Sequence, residues 1–308
     1  MTGRVLITGA SGFIGGHLVA ALAPAGVPLR LMSTGRVDAG GPSDIEQITV
    51  PDWSHVDLGT ALEGIDTVIH LAGLSVRPTE DATARFTSAN AELTDRLVTA
   101  AGHAGTRRFI HLSSVHAVSP SASDALVDDR TEPAPASAYG RSKRAAEQSV
   151  ARFERFGISL RPPLVIGHGA RGNFARLQQL AARRLPLPLA SIAARRSYLS
   201  VETLVAALVH LAWADPAPTR SGGYALCDTR PMALPEIVTA LRRGMGRAPG
   251  LFAFPPTLLA AGARAIGGEG LAGRLCGPLV IDDSRFRERF AFSTTTDMAA
   301  SIEALARR

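Results

Sequence analysis

Residues 4–15 read Arg4-Val5-Leu6-Ile7-Thr8-Gly9-Ala10-Ser11-Gly12-Phe13-Ile14-Gly15. The first five are apolar and β-branched enough to predict a buried strand, and an amphipathic stretch from Gly16 to Ala25 predicts a helix. Between them the spacing is Gly-x-x-Gly-x-x-Gly, not the commoner Gly-x-Gly-x-x-Gly. The physics is the same. Glycines permit a tight turn and let backbone approach a pyrophosphate, while the helix N-terminus offers free N–H groups and partial positive charge. Gly9, Ser11, Gly12, Phe13, Ile14 and Gly15 are therefore candidate dinucleotide-binding residues.

Further strands are expected at Val27–Ser33, Ile45–Val50, Asp66–Gly73, Arg107–Ser114 and Ile158–Ile166. Helices are expected at Leu58–Leu62, Thr83–Ala101 and Ala138–Phe156, and Ser119–Ala136 reads as a mobile loop. This alternation predicts an α/β fold: a Rossmann-like, doubly wound parallel sheet with helices on both faces. After Gly167 the texture changes to a helix near 174–184, an extended Leu185–Leu189 segment, a strand at Arg195–Val201 and a helix at Glu202–Ala214. A further strand is expected at Tyr224–Cys227, before a mostly helical remainder. The expected organisation is a dinucleotide-binding domain over 1–166, to which 193–215 return. A smaller interleaved substrate domain would take 167–192 and 216–308.

At the end of the second strand, dinucleotide folds specific for NAD carry an acid for the ribose hydroxyls. Here the position falls on Ser33 or Thr34, followed by Gly35-Arg36. Arg36 either pairs with a 2′-phosphate, which favours NADP over NAD, or is a solvated loop arginine. Asp52-Trp53 follows the third strand where an adenine would rest. Leu71-Ala72-Gly73, small residues at the end of the fourth strand, suit close approach of a cofactor. His70 is expected to be a packed histidine.

The chemistry is expected near Ser114, Tyr139 and Lys143. Lys143 is the one lysine among 33 basic residues. A lysine retained four places after a tyrosine, in a chain that otherwise uses arginine, suggests a role that a planar fork cannot fill. On a helix the two share one face. A nearby ammonium favours a phenolate and is expected to lower the tyrosine's pKa, and a serine can hold a substrate carbonyl beside it.

Composition sets bounds. With 46% hydrophobic residues the 308-residue chain can bury a sizeable core. No apolar run reaches membrane-spanning length and no signal peptide is apparent, so a cytoplasmic location without a membrane partner is expected. Cys227 and Cys276 form no metal or disulfide pattern, and no metal is expected. The charge of +6 is carried by scattered arginines without a nucleic-acid motif. That points to phosphate-bearing small molecules rather than nucleic acid.

Taken together, the glycine turn, Leu71-Ala72-Gly73, Ser114 and Tyr139-x-x-x-Lys143 resemble the extended short-chain dehydrogenase/reductase family, in its NAD-dependent epimerase/dehydratase group. Leu160–Val165, Gly172-Asn173-Phe174, Leu185–Leu189 and Arg196–Leu199 look like the nucleotide-sugar enzymes of that group. The resemblance implies that Ser114, Tyr139 and Lys143 are catalytic. It adds Asn90, Pro162 and Val165, with Tyr139 and Lys143, to the cofactor contacts. It places Ser75, Ser114, Asn173, Leu187 and Arg196 against the substrate, with Asn173 and Arg196 on the UDP phosphates and Leu187 to Leu189 lining uracil. His116 and His168 are expected to be loop histidines near the cleft. A homodimer is expected by the same resemblance.

The expected activity is reduction of a 4-keto UDP-sugar. Pro163-Leu164 stands where galactose-type epimerases carry Asn-Pro. A 4-epimerase with tightly held NAD, a reductase of an apolar ketone such as a steroid or flavonoid, and a non-catalytic dinucleotide-binding regulator are the alternatives.

Overall fold

The computed structural model describes residues 3–40, 44–75, 82–228, 230–294 and 296–307. Its centre is a seven-stranded sheet whose first five strands along the chain are β1 (Arg4–Thr8), β2 (Leu29–Ser33), β3 (Ile45–Thr49), β4 (Ile65–His70) and β5 (Arg108–Leu112). After β6 (Ser123–Val127), which lies outside this sheet, come β7 (Phe156–Arg161), β8 (Leu164–Ile166), β9 (Arg195–Arg196), β10 (Tyr198–Ser200) and β11 (Gly222–Ala225). The sheet order is β11-β7-β5-β4-β1-β2-β3, and every pairing is parallel. The chain winds outward in both directions from β1 and β4, so the crevice at their carboxyl ends is the switch point where such sheets take ligands.

The sheet is covered on both faces, as parallel sheets require. Alternate residues of each strand point opposite ways. Val5, Ile7, Ile69 and Ile110 enter one apolar cluster, with α1 (Phe13–Leu22) and residues from the later helices α7 (Val201–Trp213) and α10 (Ser284–Phe290). Leu6, Val68 and Phe109 enter the other, with α2 (Leu58–Leu62) and α4 (Leu93–His103). Between α3 (Ala82–Phe86) and α4 a π-helical turn, Thr87–Glu92, carries Asn90. Next, α5 (Ala138–Ala151) is capped by the Ser137 side chain, which accepts from the Gly140 N–H. The expected sixth strand is broken in two by Pro162-Pro163, neither of which can donate a ladder hydrogen bond.

A third cluster joins α6 (Asn173–Ala182), the 187–192 segment, α8 (Leu234–Gly244) and α11 (Met298–Ala306). Here β12 (Met232–Ala233), β9, β13 (Leu279–Ile281) and β6 form a small second sheet.

Two expectations are corrected. Ser119–Ala136 is not featureless loop: β6 lies within it and pairs with β13, supplying partners that local sequence does not reveal. The boundary at 216 is crossed twice. Strand β11 is the edge strand of the main sheet, beside β7, and Phe286, Phe290 and Phe292 pack into its core. The expected strand there ends before Leu226 and Cys227.

Candidate active site

The glycine turn is shaped by contacts that leave no room for a side chain. Gly9 has φ +72, and a Cβ there would lie 2.7 Å from the Ala72 backbone nitrogen. A Cβ on Gly15 would meet the Gly9 carbonyl oxygen at 2.3 Å. Helix α1 starts at Phe13 without any side-chain cap, so its first N–H groups remain for an anion. The Ala72 N–H is held by the Thr8 hydroxyl at 3.2 Å, which fixes the end of β4 beside the turn. This cradle fits a dinucleotide's pyrophosphate.

The outer part of the cradle carries no acid at Ser33, which is 4% exposed and donates to the Gly35 carbonyl. Arg36 is exposed and lines a shallow cavity of about 350 Å³ with Val37, Asp38, Ala39 and Gln47. Among the described residues no carboxylate pairs with it. Asp52 is exposed and bonds Ser54 and His55, while Trp53 packs partly against the second apolar cluster.

Across the crevice, β5 ends at Leu112 and delivers Ser114, whose Oγ accepts from the His116 N–H at 3.2 Å. Ser114 also lies within hydrogen-bonding reach of the Tyr139 phenol. The Tyr139 ring packs edge-on against Phe86 at 5.7 Å and against His116 at 6.5 Å. One turn on, Lys143 Nζ donates to the Leu112 carbonyl at 2.8 Å, tying α5 to the end of β5. A Cβ on Gly73 would sit 3.5 Å from that ammonium.

Burial governs the electrostatics of the site. Burial pushes the Tyr139 phenol up, and Ser114 opposes the rise. Lys143 gives one of its three N–H groups to the Leu112 carbonyl and keeps its charge. Burial lowers Lys143 itself to about 8, against an opposing pull from Glu147.

Behind the site lies a buried network that sequence reading missed. Glu147 accepts a bidentate pair from Arg161 at 2.9 and 2.8 Å, and also a bond from Ser113 Oγ at 2.6 Å. The only sequence signal was the i, i+4 spacing of Lys143 and Glu147. Asn90 Nδ2 donates to Ser142 Oγ at 2.9 Å and to the Leu74 carbonyl, while its Oδ1 accepts from the Leu74 N–H. Asn90 thus splints the post-β4 turn to α5. His70 is buried between Thr8 and Thr94 and stacks on His111 at 5.7 Å. Burial, with a smaller contribution from Lys143, lowers His70 to about 3.

The expected substrate residues fare unevenly. Arg196 donates to the carbonyls of Gly273 at 3.0 Å, Gly277 at 2.6 Å and Ser121 at 2.9 Å. Its fork holds three loops together. Leu187 is 7% exposed, packs in the third cluster and pairs its backbone with Leu251. Asn173 is exposed at the start of α6, and Ser75 is exposed beyond β4. Pro162 accepts from the Val115 N–H, and Val165 packs partly against the first cluster. His168 accepts from His17 through its backbone carbonyl.

Two other arginines stand near the cleft. Arg274, on α9 (Pro256–Cys276), adjoins the Gly273 carbonyl that Arg196 holds. It acts on His116 and feels Arg176, each lowering the affected group's pKa after burial. Neither Arg176 nor Arg274 has a carboxylate partner among the described residues.

A family model described as NAD dependent epimerase/dehydratase matches residues 5–220. A ceramide reductase of Caulobacter vibrioides is 34% identical over 85% of this chain and 77% of that protein. A UDP-glucose 4-epimerase of Vibrio cholerae is 26% identical over 94% of this chain and 90% of that protein. The solved structure of MoeE5 in complex with UDP-glucuronic acid and NAD superposes with TM-score 0.79 at 25% identity. It covers 97% of this chain and 96% of that one.

Proposed function

The chain belongs to the NAD dependent epimerase/dehydratase family of enzymes, and from that premise we propose that it reduces the 4-keto group of a nucleotide sugar, with NADP favoured over NAD. The carrying observation is the convergence of Ser114, Tyr139 and Lys143 at the mouth of the glycine cradle. A reduced nicotinamide bound in that cradle would supply hydride.

Ser114 donates a hydrogen bond to the carbonyl oxygen and orients it. Tyr139, kept protonated by burial, gives its proton to that oxygen as negative charge develops there. The ammonium of Lys143 stabilises the phenolate left behind. Arg176 and Arg274, two guanidiniums without acidic partners, supply the charge that a nucleoside diphosphate needs. The exposed Arg36, with no acid at Ser33, supports a 2′-phosphate on the cofactor.

A second reading, reduction of an apolar ketone, is favoured by the occupied fork of Arg196 and by the similarity to a ceramide reductase. The decisive assay offers 4-keto UDP-sugar or ceramide-type ketone with NADPH or NADH. The Tyr139→Phe variant should lose turnover by roughly a thousandfold or more, while the cofactor Kd changes less than about threefold. Unchanged turnover ends the proposal. Racemising exchange at C4 with no added cofactor would indicate epimerisation instead.

A further inference from the structure

A different face of the molecule is unusually apolar and basic. Residues 173–201 and 237–268 contain nine arginines and no acidic residue. Within the second stretch, residues 248–263 carry no charge at all. The two segments are bound together in space. Leu187 bridges Leu251, Phe252 donates to the Leu187 carbonyl, and Phe254 donates to Ser191 Oγ.

This ribbon and the first half of α9 leave several large apolar side chains outward. Leu185 is 64%, Leu258 58% and Ile266 86% exposed, with Phe252 and Phe254 beside them. Leu259 and Ala263 face inward, so the outward residues are not simply an unburied core. Arg183, Arg184 and Arg243 flank the patch without ion pairs among the described residues, and Arg247 binds the Ala182 carbonyl.

We propose that this face docks on an anionic lipid bilayer. A contiguous apolar surface of this kind marks an interaction site. Its basic margin selects an anionic occupant, because a second copy of the chain would oppose arginine to arginine. Apolar residues entering the headgroup boundary with arginines at the phosphates is the arrangement of a surface-bound helix. No helix among the described residues is long and apolar enough to cross a membrane, so attachment would be peripheral. That goes beyond the expectation of no membrane partner, which rested on the lack of a membrane-spanning run and of a signal peptide. Helix α9 kinks at Gly268, where φ is +66, and its far end reaches the loops that Arg196 ties beside the cleft. Docking would therefore set the cleft at the bilayer.

The test is independent of the carbonyl chemistry, since it needs neither substrate nor cofactor. The full chain is sedimented with vesicles of phosphatidylcholine alone, or with about one third phosphatidylglycerol. Binding is expected to the anionic vesicles only, weakening with salt. It should fall about tenfold or more in Phe252→Ser/Phe254→Ser/Leu258→Ser and in the charge variant Arg183→Glu/Arg184→Glu. The latter changes only exposed side chains and guards against misfolding of the former. No vesicle binding, binding equal on both vesicles, or patch-dependent self-association without vesicles would overturn the proposal, the last by naming a second copy as occupant.

Discussion

Burial brings the Lys143 ammonium down to about 8, with Glu147 opposing the fall. The phenol it serves is pushed up and so stays protonated at that pH. Reduction needs both groups protonated, so the limb that limits it belongs to lysine. We expect kcat/KM for ketone reduction to hold below about pH 8 and to fall roughly tenfold per unit above it. Lys143→Met should be slower throughout and lack that limb; a pH–rate profile of the two proteins decides. The same shift has a stability consequence of definite sign. Between about 8 and the unfolded lysine value, the unfolded chain binds more protons, so stability rises with pH across that window. The lone lysine was conspicuous in the sequence. That burial would govern both it and the tyrosine was not, since burial depends on which segments close over α5.

At the level of elements, α5 is held against the Ser114 turn by contact rather than by charge alone. A Cβ added at Gly140 would lie 2.3 Å from the His116 carbonyl oxygen. Gly140→Ala should therefore push Tyr139 away from Ser114 without touching the glycine cradle. Turnover is expected to fall about a hundredfold, the cost of a displacement near 1 Å, while cofactor affinity measured by fluorescence titration stays within a few-fold. Most elements were legible because their periodicity is strong: alternating or continuous apolar runs for the strands, and helical spacing for α4 and α5. The exceptions were β6, β12 and β13. These short strands are stabilised by partners far along the chain, and nothing local in Ser123–Val127 announces them.

For the whole molecule, the arginines divide into those that build the cleft and those left to meet a ligand. Arg196 joins β9 to the loops at Ser121, Gly273 and Gly277. Arg196→Ala leaves those carbonyls without their charged donor and should cost roughly 2–4 kcal/mol in a denaturant melt. Arg274→Ala should leave the melt unchanged and raise KM for a nucleotide sugar about tenfold. The reverse pattern would return Arg196 to the substrate. Sequence alone settled the strand–turn–helix cradle and the parallel sheet, and it singled out Ser114, Tyr139 and Lys143 as the candidate set, because steric freedom, period and proton chemistry are written in residue type and near spacing. Tertiary structure alone decided that Arg196 donates to three backbone carbonyls and Leu187 packs in the third cluster, that Glu147 and Arg161 stand behind the lysine, and that β11 completes the main sheet. Each of those depends on which distant backbone carbonyls, carboxylates and strand edges the fold brings within reach, and a linear chain carries no measure of that proximity.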